Sequence, residues 1–99
     1  MIKNYDFSAA STAVREKALT HGIFYSFWVV ARQYMQERRI FDSDIQCALK
    51  NSEVLGLEQH VVPGLTRYWL TGTDTDGRTL KMRAIIAGMI IEIEDVSTN

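Results

Sequence analysis

The chain has 99 residues, of which 46% are hydrophobic and 23% are charged, and its formal net charge is −1. This composition is typical of a single soluble globular domain and excludes a disordered chain. The charge balance excludes a global attraction to nucleic acid, so an RNA contact would need a local basic surface. The one cysteine, Cys47, cannot form an internal disulfide, and no apolar run approaches the roughly 20 residues of a membrane span. We therefore expect a cytoplasmic protein that requires no cofactor, metal or membrane.

The N-terminal part of the chain is predicted to form two helices. Residues Ser8 to Thr20 suit a short helix, and Gly22 supplies its stop. Because the apolar positions of this helix are mostly alanines, we predict that residues 1–22 form an appendage or an oligomer contact. The stretch Phe27 to Ile40 repeats apolar side chains at i, i+3, i+4, i+7 and i+8, which predicts an amphipathic helix from Ser26 to Arg39.

A third short helix and four strands are predicted downstream. Asp42 or Ser43 can cap a helix that ends at Lys50, and from Glu53 the hydrophobic pattern changes to a period of two residues. This alternation predicts four strands, at Val54–Val62, Leu65–Thr71, Leu80–Ile86 and Met89–Val96. The turns between them are predicted at Pro63-Gly64, Asp76-Gly77 and Ala87-Gly88.

The side-chain pattern of the last two strands predicts how they pair. If Ala87-Gly88 is a two-residue loop, Arg83 opposes Glu92 on one face of the sheet and Met82 opposes Ile93 on the other. Matched cross-strand pairs of this kind contribute about 0.2–1 kcal/mol each. We therefore predict that the methyl-rich face packs against the helices and that the charged face is open.

The succession of elements predicts an α+β fold. We expect three N-terminal helices packed on one face of a three- to four-stranded antiparallel sheet, with a short extra strand near Lys3 to Phe7. All 99 residues form one domain in this prediction. The open face of the sheet, or its edge, is the expected place for function.

Several segments resemble the domain-of-unknown-function 4258 family, from residue 24 to residue 96. They are ARQYMQERRI, the capped helix DSDIQCALKN, the strand start SEVLG, the aromatic strand TRYWL, the turn DGR and the closing strand MIIEIEDV. The resemblance implies a small bacterial protein without an established activity. It also implies a fold similar to RelE-type toxin ribonucleases, which cleave messenger RNA with basic and polar residues on a sheet.

Two positions depart from the pattern of that family. Its members usually carry a histidine at the start of the long helix, where this chain has Val30, and Arg39 replaces the glycine of an E-R-G-I-like tetrad. The matching residues that remain are Ala31, Met35, Glu37, Arg38, Ile40, Gly77 and Arg78. If the histidine has a chemical role in the family, this chain lacks it, which lowers the expectation of catalysis.

The candidate catalytic residues for a ribonuclease are His60, Arg67 and Arg78. His60 is predicted to oppose Arg67 in the first hairpin, and a base beside a guanidinium suits phosphodiester cleavage, which needs proton transfer and charge stabilisation. The structural alternative for His60 is a half-exposed strand histidine. Arg78, in the DGR turn, would hold a phosphate.

The candidate binding residues are basic and aromatic side chains of the sheet. Lys81 and Arg83 extend the basic cluster of Arg67 and Arg78, while Tyr68, Trp69 and Trp28 could stack on a base or anchor a protein. Because Glu92 and Glu94 are predicted to oppose and neutralise Arg83 and Lys81, protein contact is favoured over RNA. The sequence thus predicts a small binding protein that acts as a homodimer or on a macromolecular partner. The alternative is a RelE-like ribonuclease toxin of a toxin–antitoxin type system.

Overall fold

Three helices and five strands make up the fold in a computed structural model, which describes residues 6–25 and 28–98, and the side chains of residues 6–25 and 32–98. In chain order they are α1 (Ser8–Lys17), β1 (Gly22–Tyr25), α2 (Trp28–Glu37), α3 (Asp42–Lys50), β2 (Glu53–Gln59), β3 (Thr66–Thr73), β4 (Thr79–Ala87) and β5 (Ile90–Thr98). The extra strand predicted near Lys3 to Phe7 and the predicted helix start at Ser26 and Phe27 lie largely outside the described residues.

The sheet is mixed, with strand order β1-β5-β4-β3-β2. Strands β2 to β5 pair antiparallel, whereas β1 runs parallel to β5. The prediction of three N-terminal helices on a three- to four-stranded antiparallel sheet is therefore wrong, since only α1 precedes the first of five strands. The missed strand is four residues long and lies in an apolar stretch that only Ser26 interrupts. Its partner is nearly 70 residues away, so no local alternation marks it.

The turn between β4 and β5 lies one residue later than predicted. Ala87 pairs with Ile90, which leaves Gly88 and Met89 as the loop, and Gly88 supplies a positive φ of 57°. The predicted pairing of Arg83 with Glu92 is wrong, because Arg83 pairs with Asp95. A bulge follows between Arg83 and Ala84, and it makes Glu94 the extra residue of β5.

The faces of the last hairpin are nevertheless as predicted. Met82 and Ile93 are buried at 2% and 0% exposure on the helix-covered face, and Arg83 and Glu92 share the opposite face. A shift of the turn by one residue on both strands changes which residues are partners but preserves the inward and outward alternation.

One core joins the helices to the sheet. Its fully buried members include Val14, Met35, Ile45 and Leu49 from the helices and Leu70, Leu80, Ile91 and Ile93 from the strands. Helix α1, predicted as an appendage, packs on α3 and β2. Its Ser11 Oγ accepts a 2.8 Å hydrogen bond from the Val54 backbone N–H, which covers part of the outer edge of β2. Among the described helices, none has the length and apolar composition to cross a membrane.

Candidate functional site

The sheet face opposite the helices carries the predicted charged residues. We call it the outer face. The strand register places one row across all five strands, Phe24, Glu92, Ile85, Arg67 and Glu58. The neighbouring row contains Asp95, Arg83 and Trp69. The alternation of side chains along each strand thus gathers residues from distant parts of the chain on one surface.

Arg67 is held by two carboxylates on the outer face. Its Nε and one terminal nitrogen donate to the two oxygens of Glu94 at 2.7 and 3.2 Å, and the other donates to Glu58 at 2.9 Å. The Nε of Arg83 also lies 3.6 Å from Glu94, although it makes no hydrogen bond there. The bulge turns Glu94 toward both guanidinium groups. Arg67 is therefore neutralised and Arg83 lies near a carboxylate, whereas Lys81 of the same predicted cluster forms no ion pair within the described residues.

Acidic side chains outnumber basic ones across the outer face. Within the five described strands, five acids face three bases: Glu53, Glu58, Glu92, Glu94 and Asp95 against Arg67, Lys81 and Arg83. In the described part of the chain, no basic group forms an ion pair with Glu92 or Asp95. A phosphate backbone would be repelled by this excess of negative charge.

Large apolar side chains lie among these charges. Phe24, Ile90 and Trp69 are 57%, 47% and 38% exposed. Tyr68 and Trp69 point to opposite faces, as their adjacency predicts, and Tyr68 packs against the core. Trp28 begins α2, but its side chain lies outside the described residues. The sequence could not assign Phe24 to this surface without the position of β1, whereas the alternation of β5 already places Ile90 on the face of Glu92.

His60 does not face Arg67. Glu58 occupies the position opposite Arg67, and the backbone N–H of His60 instead donates to the Leu65 carbonyl at 2.9 Å in the β2–β3 connection. The predicted register is wrong because the connecting loop is longer than the Pro63-Gly64 pair alone. The imidazole Nδ1 accepts a 3.0 Å hydrogen bond from the Val62 N–H. This places His60 in a structural turn.

Arg78 lies at the opposite end of β3 from His60 and Arg67. The strand from Arg67 to Thr73 spans about 20 Å, and Arg78 follows in the next turn. The structure therefore does not bring the three candidate catalytic residues together. Arg78 Nε donates to Asp74 Oδ2 at 2.6 Å, and its terminal nitrogens donate to the carbonyls of Arg38 and Arg39. It joins the β3–β4 turn to the end of α2.

Three carboxylates surround Arg78. Asp44, Asp74 and Asp76 each bring one oxygen within 4.8 Å of the others. The Arg78 guanidinium lies 2.6–3.9 Å from all three and supplies the positive charge that a cation would otherwise supply. Asp44 also accepts hydrogen bonds from the Phe41 N–H at the start of α3 and from Thr75. The cluster is therefore accounted for as a structural ion-pair network.

Asp44 and Asp42 both have lowered pKa values. Burial acts to raise the pKa of Asp44, but hydrogen bonds from Phe41 and Thr75 and the charge of Arg78 outweigh it. The hydrogen bond from Arg32 is the main cause of the lowered pKa of Asp42. A carboxyl whose pKa is lowered by folding stabilises the fold above its unfolded-state pKa, about 3.9, and this stabilisation is lost as the pH falls through the folded-state pKa.

We expect the free energy of unfolding to decrease steeply as the pH is lowered below about 4. Urea denaturation at a series of pH values measures this dependence. The Asp44→Asn variant should be less stable at neutral pH but should show a shallower loss of stability in acid, because one coupled carboxyl is gone. A variant curve parallel to the wild-type curve below pH 4 would contradict the assigned role of Asp44.

A groove runs beside β1, at the edge of the sheet. It has a volume of about 510 Å³ and is lined by Ile23, Phe24, Tyr25, Arg32, Asp42 and Gln46. The Tyr25 hydroxyl donates to Asp42 at 3.0 Å, Arg32 pairs with the same carboxylate at 2.5 Å, and the guanidinium lies 4.5 Å from the centre of the Tyr25 ring. Burial and the bond to Asp42 raise the pKa of Tyr25, so its phenol stays protonated.

The sequence did not predict the groove, because the groove is lined by β1, the strand that the hydrophobic pattern does not reveal. From the sequence, Asp42 is predicted only as a possible helix cap, and Arg32 is not among the candidate residues. Comparisons of the chain with protein-family models, with curated proteins and with solved structures found no match.

Proposed function

We propose that this chain is a protein-binding module that holds a different polypeptide on the outer face of its sheet. The observation that carries the proposal is the exposure of Phe24, Ile90 and Trp69 on a face whose arginines are already paired. Exposed aromatic side chains are the usual anchors of protein interfaces. Paired arginines contribute little to phosphate binding, so the surface favours a protein over RNA.

The charge of the outer face indicates the chemistry of the partner. Glu92 lies directly opposite Phe24, and Asp95 lies in the row of Trp69 with Arg83 between them. The exposed aromatic rings thus share the face with acids that form no ion pair among the described residues. A contact surface with apolar side chains and a few lysines or arginines would complement this pattern. Two copies of the same acidic face would repel each other, which favours a different protein over self-association through this face.

The test begins with a photoreactive phenylalanine analogue at position 69 in the full chain, expressed in its host. A matched control places the same group at Lys50, an exposed residue of α3 on the helix side. We expect position 69, and not position 50, to cross-link one discrete protein. An RNA adduct that nuclease removes, or a covalent pair of this chain with itself, would contradict the proposal.

The identified partner, once purified, allows a quantitative measurement. We expect Trp69→Ala and Glu92→Lys each to weaken binding about tenfold or more in calorimetry, because the first removes an anchor and the second reverses a complementary charge. The effect of Glu92→Lys should diminish at high salt. Lys50→Ala should bind as the wild type does, and equal affinities for all variants would overturn the assignment of the outer face.

The ribonuclease alternative depends on the resemblance to the domain-of-unknown-function 4258 family and, through it, to RelE-type toxins. Its candidate residues are separated, and Arg67 and Arg78 are engaged by carboxylates. A toxin of this kind should arrest its host on expression and degrade RNA in a lysate. Relief of the arrest by His60→Ala or Arg67→Ala would favour the alternative over the proposal.

A further inference from the structure

We infer that β1 pairs with β1 of a second copy of this chain, which would join the two sheets into one ten-stranded sheet. The inference concerns the edge of the sheet and shares only Phe24 with the outer-face proposal. In the dimer, Ile90 and Trp69 remain as the exposed apolar side chains for the outer-face partner. The inference follows from three features of the edge: the direction of its backbone groups, its lack of protection and its self-complementary side chains.

The backbone of β1 presents hydrogen-bonding groups at the outer edge. Gly22 N–H donates to the Met89 carbonyl of the β5 side at 2.9 Å. Because successive peptide groups of a strand point to opposite edges, Phe24 also points toward β5, and Ile23 and Tyr25 point outward. No strand of the described residues lies beyond β1. A row of unpaired backbone groups is a template for another strand.

The opposite edge of the sheet, formed by β2, is protected against pairing with another strand, whereas the β1 edge is not. At β2, Ser11 of α1 occupies the N–H of Val54, and a bulge at Leu55 interrupts the edge. Two glutamates, Glu53 and Glu58, add like charges that would oppose self-pairing. In contrast, the β1 sequence GIFY is uncharged and regular through all four residues.

The side chains of β1 suit an antiparallel pairing about a two-fold axis at Phe24. In that register, Ile23 of each copy opposes Tyr25 of the other, so the outward-pointing groups of both strands meet. Phe24 opposes its own symmetry mate on the outer face and covers a ring that is 57% exposed in one copy. Aromatic cross-strand pairs are among the more stabilising pairs of a sheet.

The groove beside β1 adds complementary charge. Each copy presents one cation, Arg32, and one anion, Asp42, with side chains 41% and 58% exposed. A two-fold axis brings identical grooves together in reversed order, so the cation of one copy can approach the anion of the other. An isologous contact of this kind closes as a dimer and does not extend into a fibre.

The test uses the purified full chain. Light scattering during size-exclusion chromatography and sedimentation equilibrium should show a dimer that dissociates on dilution. Amide exchange followed by NMR should slow at Ile23 and Tyr25 as the protein concentration rises, while Leu57 of the β2 edge should not change. A chain that stays monomeric at about 200 µM, or a dimer whose protection lies elsewhere, would overturn the inference.

Two variants test the contact between the β1 strands: one removes a backbone N–H group and the other changes a side chain. Ile23→Pro removes one outward N–H without touching the β5 ladder, and the matched control Leu57→Pro does the same at the β2 edge. We expect the first to raise the dimer dissociation constant at least about tenfold and the second to leave it unchanged. Phe24→Lys, at an exposed position, should dissociate the dimer by opposing two like charges while circular dichroism stays native.

These variants separate the dimer from the outer-face partner. Trp69 lies three strands away from β1, so Trp69→Ala should keep the dimer and lose the partner. Ile23→Pro should produce a monomer that still binds the partner. If Trp69→Ala dissociates the dimer, the contact between copies is on the outer face and the edge pairing is refuted.

Discussion

Gly72→Ala should destabilise the fold by about 3 kcal/mol or more and lower the melting temperature by roughly 10–20 °C. A Cβ added at Gly72 would lie 2.1 Å from the carbonyl oxygen and 2.8 Å from the carbonyl carbon of Ala48. Helix α3 therefore rests its backbone directly on β3 at this point. Because the obstacle is backbone on both sides, neither element can yield by a side-chain rotation, and the helix must move away from the sheet.

Gly56→Ala is the matched control for this prediction. Gly56 is also a strand glycine, but its added Cβ would come no closer than 4.0 Å to the Trp69 ring. We expect a change within about 1 kcal/mol, in the stabilising direction, because alanine restricts the unfolded chain. Chemical denaturation of the two variants measures the difference. Equal stabilities would show that α3 does not pack on β3 as closely as the structure has it.

Asp74→Ala should cost about 2–4 kcal/mol of folding free energy. The Asp74 carboxylate is fully buried and accepts hydrogen bonds from the backbone N–H groups of Asp76 and Arg78 and from Arg78 Nε, at 2.6–2.9 Å. Its removal leaves two turn N–H groups without that acceptor. It also leaves the Arg78 guanidinium without its nearest carboxylate, although the partial exposure of Arg78 limits the penalty.

The neighbouring acid provides the control. The Asp76 side chain is 75% exposed and lies 3.9 Å from Arg78, so Asp76→Ala should change the free energy of unfolding by less than about 0.5 kcal/mol. Thermal and urea denaturation of the pair measure the contrast. A similar loss of stability in both variants would contradict the prediction that the buried Asp74, and not the exposed Asp76, holds Arg78 and the turn in place.

The prediction of the four C-terminal strands succeeded because each has a strong local signal. Their residues alternate between apolar and polar, and glycines that accept positive φ mark the turns, as at Gly64 and Gly77. The end of α2 and both ends of α3 were likewise predicted to within two residues, because helix periodicity is also a local signal. Register was less well determined, since moving the last turn by one residue keeps every side chain on its face.

The candidate site was predicted less well, because it depends on long-range pairing. The pairing of His60 with Arg67 assumed a minimal loop, and the role of Arg78 depends on carbonyl groups about 40 residues away. Glu94, which neutralises Arg67, is the residue of β5 that the bulge leaves without a partner on β4. No sequence pattern within β4 or β5 predicts a bulge at this position.

By itself, the sequence determined where apolar and polar residues alternate, which side chains are apolar enough to be buried, and roughly where the C-terminal turns lie. These features depend on residues that are neighbours in the chain. Only the tertiary structure decided that residues 22–25 form an edge strand parallel to β5, that the arginines of the outer face are paired, and that exposed aromatic rings share that face with unpaired acids. The physical reason is that strand pairing and ion pairing join residues far apart in sequence. Their free energy depends on distances that only the folded chain sets.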